Sequence, residues 1–334
     1  MKYEKITNKN NYACIKGNFS CSIFQSWEWG VFKNEYGWNP VRYKIVDSSI
    51  ESDLFSFQIL EKKIFGIFYI LWIPGINFDL GSSNLKKSEI SLSILLDIVD
   101  KNYKFYYLRL SSLYPITHKN AFSMSRLFTK PCISLNSGFS LYLDLEKDRD
   151  EWLINIAKKH RYYIKRSNKN NIEWYFGHDN KLIDDFSEIL NEVERKKNAG
   201  SLGYNKEGYY RLKKLFGSRQ KILIGYIDNK PISGCVVIID GDSAFYMSAA
   251  TNEKGRSVSA AYSMIDRLRI DLRNEKIIKL DFGGVSPDAF LKNGVSHFKK
   301  GFGGEIVQYI GEWEHGRRIS KILGNIAILL LKNK

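Results

Sequence analysis

Four cysteines and five histidines in 334 residues leave little with which to build a metal cluster or a disulfide framework. Cys14, Cys21, Cys132 and Cys235 form no CxxC pair and stand near no histidine pattern. They read as reduced, mostly buried thiols of a cytosolic protein, with no metal site. No segment is of low complexity, and the first residues lack the apolar stretch of a signal peptide. The longest apolar run, residues 64–73, is cut by Gly66 and stopped by Pro74, well short of a membrane span. It reads as a buried central strand. No G-x-S-x-G elbow is present, so a serine hydrolase triad is not expected. Acidic residues are also in deficit, 36 against 51 Lys and Arg, which leaves a net charge of +15. Such a balance favours anionic partners (phosphates, nucleic acid or an acidic membrane surface) and says nothing of fold.

What is present is a pattern that occurs twice. Residues 41–46, 54–60 and 67–73 read as three strands, followed by a helix carrying Leu92, Leu95, Leu96 and Val99 and by a strand at 105–110. Residues 222–227, 232–239 and 244–250 repeat the meander, with turns at Asp228-Asn229-Lys230-Pro231 and Asp240-Gly241-Asp242. Val258, Ala261, Ile265, Leu268 and Leu272 then recur at helical spacing before a strand at 277–281. A meander, a crossover helix and a parallel-capable strand make one α/β layer of α+β type. Two in tandem predict two domains, 1–145 and 146–316, with a ligand cleft between them and the helix 317–334 returning to cover the first.

The positive charge is not evenly spread. One helix is expected over 149–166, with Trp152, Ile156 and Tyr163 on one side and Lys158, Arg161, Lys165 and Lys169 on another. Four like charges on one side repel unless an anion lies there, so this face is either merely solvated or bound to a polyanion. Arg195-Lys196-Lys197 closes a second amphipathic helix (Leu182, Phe186, Ile189, Val193), where cations complement the helix dipole. The C-terminal helix is amphipathic as well, with Arg317, Arg318 and Lys321 at its start and Lys332 and Lys334 at its end. That composition also suits peripheral contact with an anionic inner membrane surface.

Five stretches, in order along nearly the whole chain, resemble the FemABX aminoacyltransferases, which build peptidoglycan cross-bridges and have relatives in other surface-glycan pathways. Gln25-Ser26-Trp27-Glu28-Trp29-Gly30, with Phe32-Lys33 and Gly37-Trp38, is similar to their N-terminal signature. Residues 158–166 resemble their K-x-R-x-x-I-R-x-A helix, and Tyr209-Tyr210-Arg211-Leu212 their Y-x-R-L segment. Asp281-Phe282-Gly283-Gly284 resembles a D-F-x-G strand end; residues 297–305, followed by Tyr309-Ile310-Gly311, resemble the F-K-x-G-F-G-G close. The resemblance implies two acetyltransferase-like (GNAT-like) lobes, as the repeat does independently. Two departures stand out. Trp72-Ile73-Pro74-Gly75-Ile76 lacks the arginine of the family's Tyr-x-Pro-Arg-Gly-Pro, and Leu110-Ser111-Ser112 lacks an acidic residue that some members carry. They leave a glycan precursor other than the peptidoglycan peptide open.

The reaction implied is attack by a substrate amine on an activated acyl ester or thioester, which needs donors for the oxyanion of the tetrahedral intermediate. By resemblance, Lys299 steadies that intermediate or binds the acyl donor, and Lys33 and Arg211 grip a diphosphate; Phe298 and Tyr210 either line the acceptor channel or belong to the core, and Trp38 is a further substrate contact. Gly301, Gly303 and Gly304 are expected to let the backbone approach the substrate. Asp281 or Asp288 is placed to relay the amine proton, or Asp281 to tie down its loop. His160 and His297 read as part of a polar helix face and a turn, with a role as bases near neutral pH the alternative. Three activities are compatible with these residues. The first is an aminoacyltransferase using aminoacyl-tRNA on a nucleotide- or lipid-linked glycan precursor, with Lys158, Arg161, Lys165 and Lys169 on the tRNA. The second is an N-acyltransferase using a coenzyme A thioester; its pyrophosphate loop would be Asn252-Glu253-Lys254-Gly255-Arg256-Ser257 or, in the first lobe, Ser82-Ser83-Asn84. The third is a non-enzymatic adaptor for membrane or nucleic acid. No bound cofactor is expected beyond these co-substrates.

Overall fold

Alternating β-branched and aromatic residues build the strands of both copies, and the computed structural model describes them in residues 2–12, 22–47, 52–76, 85–197, 203–286 and 294–332. The chain divides into two compact units, Met1–Gly138 with Gln308–Lys334, and Phe139–Val307. Cys14, Cys21, Ser82-Ser83-Asn84, Asp288 and Lys334 lie outside the described residues.

In the first unit the chain runs through β1 (Lys2–Ile6), α1 (Trp27–Asn34), β2 (Asn39–Asp47), β3 (Ser52–Ile64), β4 (Phe68–Ile76), α2 (Leu85–Asn102), β5 (Tyr106–Pro115) and α3 (His118–Leu127). The second contributes β6 (Phe139–Asp144), α4 (Arg149–Asn155), α5 (Lys158–Ser167), β7 (Glu173–Gly177), α6 (Asn180–Lys197), α7 (Lys206–Phe216), β8 (Gln220–Ile227), β9 (Lys230–Asp240), β10 (Ser243–Thr251), α8 (Glu253–Ser257), α9 (Ala260–Asn274), β11 (Lys279–Gly284) and α10 (Gly294–Lys300). β12 (Glu305–His315) leads back to the first unit, which α11 (Arg318–Lys332) completes.

Strand order in the first unit is β1-β2-β3-β4-β5-β12, antiparallel except for β4 and β5. In the second it is β7-β8-β9-β10-β11-β6, antiparallel except for β10 and β11. Each parallel pair is bridged by a crossover, α2 in one case and α8 with α9 in the other, as parallel strands require. The sixth strand is exchanged in sequence. β6 follows β5 along the chain yet pairs with β11, and β12 follows β11 yet pairs with β5. The unit boundary therefore precedes β6, whereas the sequence reading put residues 139–144 in the first domain.

Each core is made by the crossover helix on its sheet. Leu92, Leu95, Leu96 and Val99 of α2 pack on Ile59, Leu71, Ile73 and Leu108. Met264, Ile265, Leu268 and Leu272 of α9 pack on Val237, Leu143 and Leu280. Burying each such side chain is worth roughly 1.5–3 kcal/mol. The first unit adds a buried polar network: Arg109 Nη2 pairs with Glu312 Oε2 at 2.7 Å, and Glu314 Oε2 accepts from the Tyr107 hydroxyl and from Asn325 at 3.0 and 2.9 Å. It joins β5, β12 and α11.

Two expectations fail for local reasons. Residues 64–73 do not form one central strand; Phe65 and Gly66 enter the left-handed region (φ 51° and 74°) and turn β3 into β4, leaving Phe65 in solvent. The helix expected over 149–166 is two. Ile156 is extended (φ −75°, ψ 134°), and the Ala157 amide leaves the helical ladder to bond the Gly301 carbonyl at 2.9 Å. That break removes the common face assumed for Trp152, Ile156 and Tyr163.

Candidate functional site

The reactive groups of the second unit collect where its parallel strands part. β10 and β11 pair over only three positions, Ser243 with Lys279 to Phe245 with Asp281. Beyond them the β9–β10 register slips between Tyr246 and Ser248, and the β11–β6 register between Asp281 and Gly284. Gly283 (φ 79°) permits the bend, and such interrupted ladders re-aim side chains. Asp281 Oδ1 accepts from the Ser140 hydroxyl and from the Gly283 amide (2.9 Å), so it does tie down the strand end. Lys299 reaches across from α10, donates to the Gly284 carbonyl at 3.1 Å and stands 5.5 Å from the centre of the Phe282 ring. It is half-buried and lies on a helix.

Both groups carry perturbed acidities. Burial holds the Lys299 ammonium below the ordinary lysine value, with the Asp281 charge opposing. Burial likewise raises the Asp281 carboxyl above the usual carboxylate range, against the Ser140 and Gly283 hydrogen bonds and the Lys299 charge. An electropositive group of lowered proton affinity beside a carboxyl of raised affinity is the kind of pair that divides acid and base work.

His160 is a correction. It is not on a polar face but buried, with Nε2 2.9 Å from the Phe298 carbonyl and the ring edge-on to Tyr262 and Phe302. Its Nδ1 has no hydrogen-bond partner, and burial lowers its proton affinity. This ring explains Gly301, where a Cβ would fall 2.0 Å from His160 Cε1. Gly303 (φ 76°) similarly yields to the Asn155 carbonyl, 2.8 Å from a Cβ there. Both glycines accommodate the protein's own atoms. Phe298 packs against Tyr262 and Phe302 at 5.2 and 5.0 Å between ring centres. A cavity of about 620 Å³ lies nearby, lined in part by Tyr142, Lys147, Lys279, Gly303 and Gly304; of the predicted residues it takes in Gly303 and Gly304.

Of the four predicted polyanion contacts, Lys158 and Lys165 are exposed on α5, and Lys169 is exposed on the 3₁₀ turn after it. Arg161 instead caps α4, donating to the Leu153 and Ile154 carbonyls, both at 3.1 Å. The pyrophosphate-loop candidate folds as α8. Its central amide, Gly255 N, is already taken by the Asn252 side chain at 3.0 Å. The start of α9 is covered by α5 through Tyr163 stacked on Tyr262 and Ser167 bonded to Ser263. On α7, Arg211 is exposed, and the Tyr210 hydroxyl donates to Asp184 at 2.7 Å.

In the first unit the corresponding strand end is sealed. β4 and β5 pair from Tyr69 with Tyr106 to Ile73 with Leu110 and again at Ile76 with Ser112. Gln25, buried, donates to the Pro74 and Gln58 carbonyls, and Ser22 donates to that of Gly75. Lys33 and Trp38 lie elsewhere on this unit, in a cluster that sequence reasoning left incomplete. Lys33 Nζ is 5.7, 5.3 and 6.0 Å from the ring centres of Trp29, Tyr36 and Trp72, and Lys62 Nζ is 5.7 Å from that of Trp38. Burial, then the Lys62 charge, lowers the Lys33 ammonium below its ordinary value. Lys62 was not anticipated; its place opposite Ile70 in the β3–β4 ladder was the signal available. Among the described residues no group of His, Cys, Asp and Glu is placed to hold a metal ion.

Residues 224–319, which include Asp281, Phe298 and Lys299, match the FemAB family. The fold matches a crystal structure of FemX at a TM-score of 0.79 and 14% identity, covering 98% of this chain and 99% of that one. The FemABX resemblance is borne out. A more distant match is L-PGS from Bacillus licheniformis, at a TM-score of 0.55 and 11% identity over 91% of this chain and 95% of that one. A tandem GNAT protein from the clavulanic acid biosynthesis pathway matches at 0.51 and 8%, over 84% and 83%. No curated protein matches the sequence. The mixed α/β fold is thus similar to that of FemX and of a tandem GNAT protein, and the match to the FemAB family lies in the second half of the chain.

Proposed function

We propose that this protein is an aminoacyltransferase that moves an amino acid from aminoacyl-tRNA to an amine of a nucleotide- or lipid-linked glycan precursor of the cell surface. The observation that carries the reading is the Lys299 ammonium, fixed beside Asp281 where β10 and β11 part. In the reaction the amine nitrogen attacks the ester carbonyl, a C–N bond forms, the ester C–O bond breaks, and the ribose hydroxyl leaves with a proton. Lys299 supplies the positive charge for the oxyanion, and its lowered proton affinity also suits it to pass a proton to the leaving oxygen. Asp281, with its raised affinity, accepts the proton that the amine releases. In the second unit Arg211 is assigned to the phosphates of the acceptor; in the first, Lys33 with Lys62 is assigned to anion binding of its own. Lys158, Lys165 and Lys169 are assigned to tRNA phosphates, with Arg161 retained as the cap of α4.

The coenzyme A alternative is weakened by Gly255, whose amide is spent on Asn252, and by the cover of α5 over the start of α9. The test offers labelled aminoacyl-tRNAs and labelled acetyl-CoA separately, with nucleotide-linked amino sugars and peptidoglycan precursors as acceptors. Label is expected to move from tRNA, with binding that weakens steeply as salt rises. Transfer from acetyl-CoA alone overturns the proposal.

A further inference from the structure

The last helix, α11, has two unlike sides. Toward the sheet it buries Ser320, Gly324, Asn325 and Ile328, with Gly324 so close that a Cβ would fall 2.1 Å from Tyr107 Cγ. Away from the sheet, Ile319, Ile322, Leu323, Ile326, Leu329 and Leu330 are each 41–67% exposed. Single exposed aliphatics are ordinary; six along one helix are a contiguous apolar face. No acidic residue stands in the first turn, where Arg317, Arg318 and Lys321 gather. Cations at that end oppose the helix dipole, an arrangement that an external anion relieves.

The β3–β4 hairpin supplies a second, independent feature. At its tip Phe65 is 92% and Ile67 70% exposed, and Phe65 holds a positive φ that a bulky side chain enters at a cost. Ile64 and Phe68, which flank the tip, pack with Ala327 and Ile328 of α11, so tip and helix are neighbours. The equivalent tip in the other unit is Asp240-Gly241-Asp242, as polar as a solvated turn should be.

We propose that this face docks the protein on the surface of an anionic phospholipid bilayer. α11 lies in the interface with its exposed aliphatic side immersed and with Arg317 and Arg318 on lipid phosphates, and the Phe65–Ile67 tip enters beside it. Charge selects this occupant over a second copy of the chain, which would bring its own excess of 15 positive charges against those arginines. Among the described residues no helix is long and apolar enough to cross a membrane, so the contact is peripheral. The inference does not depend on acyl transfer.

Flotation of the full chain with phosphatidylcholine vesicles, with and without phosphatidylglycerol, is the test. Binding is expected only with phosphatidylglycerol and is expected to fall as salt rises. Ile322→Glu and Ile326→Glu should each weaken it about tenfold or more with an unchanged melting temperature. The pair Arg317→Gln and Arg318→Gln should flatten its salt dependence, and Phe65→Ser should weaken it without touching α11. Absence of flotation on anionic vesicles overturns the proposal. So does flotation indifferent to these variants, or a dimer in sedimentation equilibrium that Ile322→Glu dissociates while vesicle binding is unaffected.

Discussion

The two copies differ most at the same point of the fold, the end of the parallel strand pair. In the first unit β4 and β5 stay paired as far as Ile76 and Ser112, and Gln25 and Ser22 seal the end with hydrogen bonds to the Gln58, Pro74 and Gly75 carbonyls. In the second unit pairing stops after Phe245 and Asp281, and the opened end holds Asp281 and Lys299. The first is braced by the buried Arg109–Glu312 pair between β5 and β12; the second by the ring cluster of His160, Tyr262, Phe298 and Phe302. One architecture, filled in two ways, gives a sealed strand end in one unit and, in the other, the opened notch to which acyl transfer is assigned.

The brace of the first unit should show the largest effect on stability. Arg109→Met leaves Glu312 buried without its partner and is expected to cost about 3–5 kcal/mol in urea denaturation. The related pair in the second unit, Arg149 with Asp266 at 2.7 Å, is half open to solvent on the arginine side, and Arg149→Met should cost roughly 1–2 kcal/mol. Equal costs would mean that the deeper burial of Arg109 makes no difference between the two pairs. Next, Gly301→Ala drives a methyl into the His160 ring and should cost about 2–3 kcal/mol. Gly66→Ala, at the open tip of the first unit, meets nothing within 4 Å and should cost only the roughly 1 kcal/mol of left-handed strain. Gln25→Ala removes the seal and is expected to lower the denaturation midpoint by the equivalent of about 1–3 kcal/mol while leaving transfer intact.

The smallest effect is one of pH. Burial lowers the His160 proton affinity in the folded state, so the unfolded chain takes the proton first, near the ordinary value of 6.5. More protons on the unfolded side means stability that is full above that value and declines as pH falls through it toward the lower folded value. His160→Gln should flatten the melting temperature between about pH 8 and about pH 5.5. A profile identical to that of the parent would place the titration elsewhere.

Much of this was legible in the sequence. The repeated meander and crossover appeared as β-branched runs between turn residues, and the Asp228-Asn229 turn takes the left-handed conformations its residues favour (φ 50° and 60°). The exchanged sixth strands were not legible, because residues 139–144 have the same strand character wherever they pair. Nor was the break at Ile156 and Ala157, which depends on a carbonyl 144 positions away in the chain, Gly301 O. His160 was misread for the same reason: a histidine in a lysine-rich helix looks solvated until Phe298 and Tyr262 close over it. Lys299 and Asp281 were found by resemblance; Ser140, which holds Asp281, carried no signal of its own. Residues 64–73 were apolar enough for a core strand, and only the paired positive φ angles of Phe65 and Gly66 show that they turn.

The proposed role of the second unit's notch is acyl transfer with Lys299 as its charge. Single-turnover transfer of labelled amino acid from charged tRNA to a glycan-precursor acceptor, compared between the parent and Lys299→Met at matched melting temperature, tests it most directly. A loss of roughly a hundredfold to a thousandfold in rate is expected, with tRNA binding retained. Undiminished transfer by Lys299→Met would contradict it.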